Sequence, residues 1–397
     1  MTGAAARKAP QPPAVELVHV TTVPQSLWFF SGHAHYLQVR NFRVRAVSSP
    51  GDLLDRFHTT ALVPVHAVPM ARAFSPVSDA VALWRLWRLF LTIKPDIVHS
   101  HTPKAGLLGT LAARLAGVRV AFLSVFGLPQ MTRTGPARHM LNVTTRLACA
   151  AAHRVWCDSS SVRDYLSQSG LCRPDKIVVF GEGSVDGVDA QETFSPERRG
   201  REIRADIRAR HGIPNDAVVI GYVGRIVRDK GMQELVAAWK TLRGQYENLH
   251  VLMLGSFEAT DPLLPGDEKA LRNDSRVHLA GHRSDVAAHY AAMDVFTMPS
   301  YREGFGISNI EAAAMGLPVV STRIPGCVDS VQDGVTGTLV APRDADALRA
   351  ALDKYLQEPD LREQHGRAGR ARALRDFQPD AIRESIRLEY LRLLGIG

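Results

Sequence analysis

The run VVIGYVGRIVRDKG at residues 218–231 decides the fold. Six residues rich in β-branched side chains end at a glycine, a charged turn follows, and a helical stretch runs from Met232 to Gln245. Strand, turn and helix in this order form the first half of a βαβ unit, the building block of parallel sheets covered by helices.

The same pattern extends in both directions. Toward the C-terminus, strands are expected at Val251–Leu254, Val277–Leu279, Val295–Met298, Val319–Thr322 and Thr338–Val340, with a helix at Asn309–Met315 and a closing helix at Asp380–Leu394. Toward the N-terminus a second series appears: strands Val15–Val23, Val44–Ser48, Asp96–His101, Val118–Val125, Val155–Asp158 and Ile177–Gly181, with helices Val77–Ile93, Leu107–Ala116 and Pro136–Ala152. Between the two series, Ser195–Arg210 carries nine charges of mixed sign and reads as the join. The expectation is an α/β chain of two Rossmann-like, doubly wound parallel-sheet domains facing a cleft. Its boundaries are a disordered tail at 1–13, an N-terminal domain at 14–196, linker and C-terminal domain at 197–378, and the closing helix at 379–397.

A chain of 397 residues with 45% hydrophobic and 22% charged residues has room for two full cores. Its net charge of +8 is unevenly placed: residues 1–180 hold 20 basic and 8 acidic side chains, the remainder 28 and 32. The basic half asks for an anionic partner, but no aromatic–basic interleaving or nucleic-acid motif accompanies it. Cys149, Cys157, Cys172 and Cys327 have neither zinc-ligand nor disulfide-framework spacing. Pro10, Pro12, Pro13 and Glu16 occupy the place of a signal peptide's apolar core, and Arg85, Arg88, Arg146 and His153 interrupt the most apolar runs. A cytoplasmic protein, peripheral on the inner face of the cell membrane, is expected.

Three stretches carry chemistry. Arg225 and Lys230, five apart after a strand, put a planar fork and a mobile point charge at the carboxyl edge where a diphosphate would sit; alone, the same residues also suit a solvated turn. In the run Glu303 to Glu311 (EGFGISNIE), Gly304 and Gly306 suggest a loop whose bare backbone approaches a ligand, followed by a helix whose free N–H groups face an anion. Glu303 would sit at the cleft mouth and Glu311 one turn into the helix, not as the facing carboxylate pair of a retaining glycoside hydrolase. Alone, this stretch reads better as a glycine turn with a capping glutamate. In the third stretch, DIVHSH at 96–101, alternation sends His99 and His101 to one side, so that at most His101 reaches the cleft. This pair has no third metal ligand at suitable spacing, and Asp344 is more simply a helix cap than part of a metal clamp.

Taken together, G-R-x-x-x-x-K-G, E-G-F-G-x-x-x-x-E-A and D-I-V-H-x-H resemble the retaining glycosyltransferases of family 4, with the GT-B fold, over nearly the whole chain. The runs HTPKAGLLG at 101–109 and GSVDGVD at 183–189 resemble transferases of capsule, exopolysaccharide or lipid-linked glycan assembly. The resemblance implies that Arg225 and Lys230 bind the donor diphosphate, Glu303 the hydroxyls of the transferred sugar and Glu311 the ribose. It further implies backbone N–H contacts from Phe305, Gly306 and Ile307, a place for His101 over the sugar, and a base held near His282 and Arg283. Gly32, within Ser31-Gly32-His33, stands where many relatives have Gly-Gly in the first strand–helix loop. Also implied are front-face attack with retention, the leaving phosphate taking the acceptor's proton, and no metal or other cofactor. The expected partners are a nucleotide-diphosphate sugar, UDP-linked, and a saccharide or lipid-diphosphate-saccharide acceptor.

Two other readings share these residues. A hydrolase, phosphorylase or nucleotide-sugar epimerase can use the same fold, since fold alone does not determine reaction. A non-catalytic basic membrane-binding protein would account for the charge but not for the intact set His101, Arg225, Lys230, Glu303 and Glu311. For the membrane surface, Arg133, Arg138, His139 and Arg146 are the favoured contacts, whereas Trp84 and Trp87 are expected to pack in the core.

Overall fold

The computed structural model describes residues 14–73 and 75–396; the expected tail at 1–13 lies outside the described residues. Thirteen strands are assigned among them: β1 Val15–Val20, β2 Phe42–Ser48, β3 Val65–Ala67, β4 Ile97–Ser100, β5 Val120–Val125, β6 Arg154–Cys157, β7 Ile177–Val178, β8 Val218–Val223, β9 Leu249–Leu254, β10 Val277–Gly281, β11 Val295–Met298, β12 Val319–Thr322 and β13 Gly337–Val340. They form a seven-stranded sheet in the order β3-β2-β1-β4-β5-β6-β7 and a six-stranded sheet in the order β10-β9-β8-β11-β12-β13. Pairing is parallel. In each sheet the order reverses at one place, between β1 and β4 and between β8 and β11, and the carboxyl ends flanking such a reversal are where open α/β sheets bind ligands.

The chain divides into two compact units. One holds the residues up to Ser124, Ala150–Arg154 and the end of the chain from Arg387; the other holds Val125–Cys149 and Val155–Ile386. In the second unit, alternate residues of the central strands serve two cores. Ile220, Tyr222, Val251, Met253 and Val295 pack on one face; Val219, Leu252, Leu254, Phe296 and Met298 pack on the other. Helices cover both faces, so a residue pointing either way is buried, and β8 reads as a continuous apolar run.

Two segments differ from the sequence expectation. β3 carries no pattern, because its three residues, the half-buried Val65 and His66 and the exposed Ala67, pair only through backbone register with β2. Within the charged stretch Ser195–Arg210, Arg201–Arg210 is a helix of the second unit. Arg208 is fully buried there, its guanidinium donating to the carbonyls of Ala292, Pro214, Asn215 and Ala217 and to Asp294 Oδ2. Charge patterning alone marks a solvated segment, and only the buried carbonyl cluster makes Arg208 a core residue.

The helix Pro76–Ile93 buries Ala82, Leu86 and Phe90 but leaves Val77, Val81, Trp84 and Leu91 exposed. Trp84, expected in the core, is 51% exposed and lies beneath the Arg88 guanidinium at 5.1 Å. The helix has more apolar residues than one buried stripe can hold, and the surplus faces outward. On Gly135–Ala151, Met140, Val143 and Leu147 are likewise exposed. No helix among the described residues is long and apolar enough to cross a membrane.

Candidate active site

The β8/β11 reversal assembles most of the predicted residues. After β8 the chain turns through Gly224, whose following carbonyl at Arg225 accepts a hydrogen bond from the Tyr222 hydroxyl at 2.7 Å. A short turn, Arg228–Lys230, then leads into the helix Met232–Gln245 through Gly231, at φ 71°. A side chain at 231 would meet the Pro299 carbonyl, 1.9 Å from an ideal Cβ. This explains why the motif ends in glycine: the turn after β8 lies directly against the loop after β11.

That contact brings Lys230 and Glu303 together as an ion pair between Nζ and Oε1, with side chains 16% and 12% exposed. Arg225 turns toward Glu258 at 3.0 Å and is half exposed. Glu311, near the start of the helix Ile307–Ala314, accepts from the Tyr290 hydroxyl at 2.9 Å. Burial pushes its carboxyl up to about 7, partly opposed by that hydrogen bond. His282 and Arg283 follow β10 and are exposed, Arg283 held by Asp285 at 2.9 and 3.1 Å.

The glycines of EGFG serve the protein's own packing as well as any ligand. An ideal Cβ at Gly304 would lie 2.2 Å from Asp158 Oδ2 and 2.8 Å from the Gly127 amide nitrogen, and Ser159 Oγ donates to the Gly304 carbonyl at 2.7 Å. Gly306, at φ 76°, caps the helix beginning at Ile307, and Phe305 is buried against Phe377 at 5.4 Å. Asp158 is a residue that sequence reading missed. It is buried at the end of β6, and burial, with Asp329 and Glu303 nearby, holds its carboxyl well above the usual range. Nothing in its local sequence distinguishes it from a turn aspartate.

The β1/β4 reversal in the first unit holds His101 and, in the helix Ser31–Gln38, Gly32. His99 and His101 do share a side of the sheet, with ring centroids 4.0 Å apart, but both are fully buried, and Phe30 stacks on His101 at 3.8 Å. Hydrogen bonds run from His19 Nδ1 to His101 Nε2 (2.9 Å), from His101 Nδ1 to Ser124 Oγ (3.0 Å), on to His99 Nε2 (2.6 Å), and from His99 Nδ1 to the Tyr390 hydroxyl (2.5 Å). Burial pulls His19 down to about 3 and holds His99 and His101 well below the ordinary value, so all three are neutral near pH 7. His19 is the third imidazole that sequence spacing could not supply. One nitrogen from each of the three lies within 4.8 Å of the others, the kind of donor set that can hold a metal ion.

Directly after His101, Thr102 sits at φ 68°, a conformation costing a β-branched residue about 1–3 kcal/mol. It is held by a 2.8 Å bond to Thr22 Oγ1, which also accepts from the Ala105 amide at 3.1 Å and so caps the next helix.

Comparison with known proteins finds two family matches, one in each half of the chain. The family Glycosyl transferases group 1 matches residues 203–372, and Glycosyl transferase 4-like domain matches 28–183. The chain is 34% identical over 375 residues to the capsular polysaccharide biosynthesis glycosyltransferase CapM of Staphylococcus aureus, covering 94% of this chain and 96% of that protein. It is 27% identical to the UDP-Gal:alpha-D-GlcNAc-diphosphoundecaprenol alpha-1,3-galactosyltransferase of Escherichia coli, over 78% of each chain. In fold it is similar to Anabaena Alr3699/HepE, solved in complex with UDP-glucose, with a TM-score of 0.78 at 18% identity, covering 94% of this chain and 98% of that one.

Proposed function

Because this chain belongs to glycosyltransferase family 4, with the GT-B fold, and is a glycosyltransferase, we propose that it moves a sugar from a UDP-sugar to a lipid-linked diphosphate saccharide in cell-surface polysaccharide assembly, with retention. The observation that carries this reading is the Lys230–Glu303 pair at the β8/β11 reversal, flanked by Arg225 and by the helix beginning at Ile307. The names of the Staphylococcus and Escherichia relatives support the polysaccharide and lipid-diphosphate parts, and the UDP-glucose complex of the structural neighbour supports the nucleotide.

In this reading Arg225 and Lys230 hold the donor diphosphate, and Glu303, released from Lys230, receives sugar hydroxyls. The backbone N–H groups of Phe305, Gly306 and Ile307 face the sugar and phosphates, His282 and Arg283 border the base, and Glu311 takes the ribose. The bond from the anomeric carbon to the leaving phosphate breaks as the acceptor oxygen bonds on the same face, and the acceptor's proton passes to that phosphate. Fixed cations and oriented amides stabilise the developing charge. His101 is retained in this reading as a neutral imidazole beneath the Phe30 ring, and Gly32 lies at the start of its own helix in the first unit.

The test is product analysis with labelled UDP-sugars, with and without a lipid-diphosphate saccharide. We expect acceptor-dependent glycoside of the donor's anomeric configuration. Free sugar formed regardless of acceptor, or an epimerised donor, would make it a hydrolase or epimerase; an inverted product would remove retention. Run across pH, the same assay reports Glu311. Ribose hydroxyls donate to the ionised carboxylate, so affinity for UDP should rise as pH passes through about 7, and Glu311→Gln should flatten that profile.

Peripheral docking is part of the proposal. The exposed Val77, Val81, Trp84 and Leu91, with Arg85 and Arg88 beside them, suit an anionic lipid surface, where each basic residue contributes about 1 kcal/mol. Phosphatidylglycerol vesicles should co-sediment the protein at low salt, less so at high salt and less for Trp84→Ala. Absence of binding at low salt overturns it.

A further inference from the structure

Beside the Lys230–Glu303 pair, the second unit contains a depression of about 410 Å³, and of its lining cations the donor reading uses Arg225 alone. Its lining brings together five guanidinium groups, from Arg133, Arg225, Arg228, Arg302 and Arg343, against two carboxylates, Asp229 and Asp261. Both carboxylates are already engaged: Arg302 Nη2 reaches Asp229 at 2.8 Å, and Asp261 accepts from Arg228 Nε at 3.3 Å and from the Asp229 amide at 2.7 Å. Arg225 has Glu258. Arg133 and Arg343 have no carboxylate partner among the described residues.

Arg343 is also held ready. Its backbone is at φ 62°, a strained value for a non-glycine residue, and its guanidinium lies 4.3 Å from the centre of the Tyr301 ring. Tyr301 is in turn fixed by donating its hydroxyl to Glu234 at 2.5 Å and its amide to the Asp229 carbonyl at 2.9 Å. The Nε of Arg302 is buried without a hydrogen-bond partner, a donor whose desolvation nothing yet offsets. Unpaired cations, a strained and stacked arginine and an unused buried donor converge on one depression, and a dianion with several acceptor oxygens answers all three.

We propose that this depression binds a second diphosphate, distinct from the donor's, and that it belongs to the acceptor; the acceptor part rests on the function proposed above. Lys230 and Glu303 do not line it, yet their chain neighbours Asp229 and Arg302 do. Arg302 and Glu303 are consecutive residues, so the depression adjoins the place proposed for the transferred sugar. An acceptor that carries its diphosphate close to the reacting hydroxyl fits that adjacency.

Isothermal titration of the full chain with inorganic pyrophosphate, at saturating UDP, tests the site. We expect one pyrophosphate per chain, weakened about tenfold or more by Arg343→Ala and by Arg133→Ala, and weakening further with salt. UDP affinity should stay within about twofold in both variants, because neither Arg133 nor Arg343 is among the proposed donor contacts. In turnover, both variants should raise the acceptor KM and leave the donor KM in place. Arg133 is exposed and unpaired, so its variant reports on the site without a folding effect. No pyrophosphate bound beside UDP overturns the proposal, as does an equal loss of UDP affinity, which would make the depression the donor's own. If wild type binds no UDP, the function above fails while an Arg343-dependent pyrophosphate site still stands. If pyrophosphate binds as expected but the acceptor KM does not move, the acceptor assignment falls.

Discussion

Replacing Lys230 with Ala is expected to lower kcat/KM for the UDP-sugar by about 10²–10³-fold, the cost of removing one preorganised group that stabilises developing charge. Lys230 closes the turn after β8, and Gly231, unable to carry a side chain against the Pro299 carbonyl, sets its direction. Its ammonium is largely buried and matched to Glu303. A charge in that position acts in a medium that screens it less than water, so in the proposed site its loss should be felt strongly at the leaving diphosphate. The substitution also strands Glu303, a carboxylate 12% exposed, beside the incoming phosphate. Lys230→Ala with Glu303→Gln should therefore bind UDP better than Lys230→Ala alone, although neither turns over well. Steady-state kinetics and UDP titration check both statements. A loss under about threefold for Lys230→Ala would remove Lys230 from the diphosphate site.

Arg208→Ala is expected to destabilise the second unit by about 3–5 kcal/mol, the usual consequence of removing one partner from a buried ion pair. Four carbonyls and Asp294 converge on this one guanidinium. Asp294 also accepts from the Val219 amide and pairs with Arg204, so the network ties the helix Arg201–Arg210 to the start of β8 and of β11. Arg208→Lys should recover little, because one ammonium cannot reach donors spread over a planar fork. Hydrogen exchange of amides in β8 and β11 under native conditions measures the change unit by unit, which a single melting curve of a two-unit chain does not. Protection falling by less than about 1 kcal/mol would show that water replaces the arginine. UDP affinity of the folded fraction should persist, since Arg208 touches none of the proposed donor contacts.

Much of the proposed donor site was legible because its parts are local. A strand, a glycine and a charged turn are contiguous at 218–231, and Glu303 to Glu311 follow one strand within a few residues. The parallel register of β8 with β11 then carries both turns to one end of the sheet. Asp344 capping the helix Ala345–Gln357 through the Ala347 amide was legible for the same reason. Segments whose meaning depends on distant partners were not. Arg208 looks like any charge in a polar stretch until four carbonyls surround it. Trp84 looks like core until the helix proves to have only one face against the sheet.

Gly304 shows the boundary most clearly. A glycine between Glu303 and Phe305 is correctly read as a close approach of backbone, yet what approaches includes Asp158 and Gly127, from segments far away in sequence. His19, His99 and His101 form one hydrogen-bonded cluster only because β1 and β4 are neighbours. The sequence by itself determined the two doubly wound series and the residue types at their strand ends, because period, turn chemistry and the order of strand and helix are set by adjacent residues. Only the tertiary structure decided which of those charges are paired, which are buried and which, like Arg133 and Arg343, are left unmatched. Pairing and desolvation depend on distances between segments that the chain order does not encode.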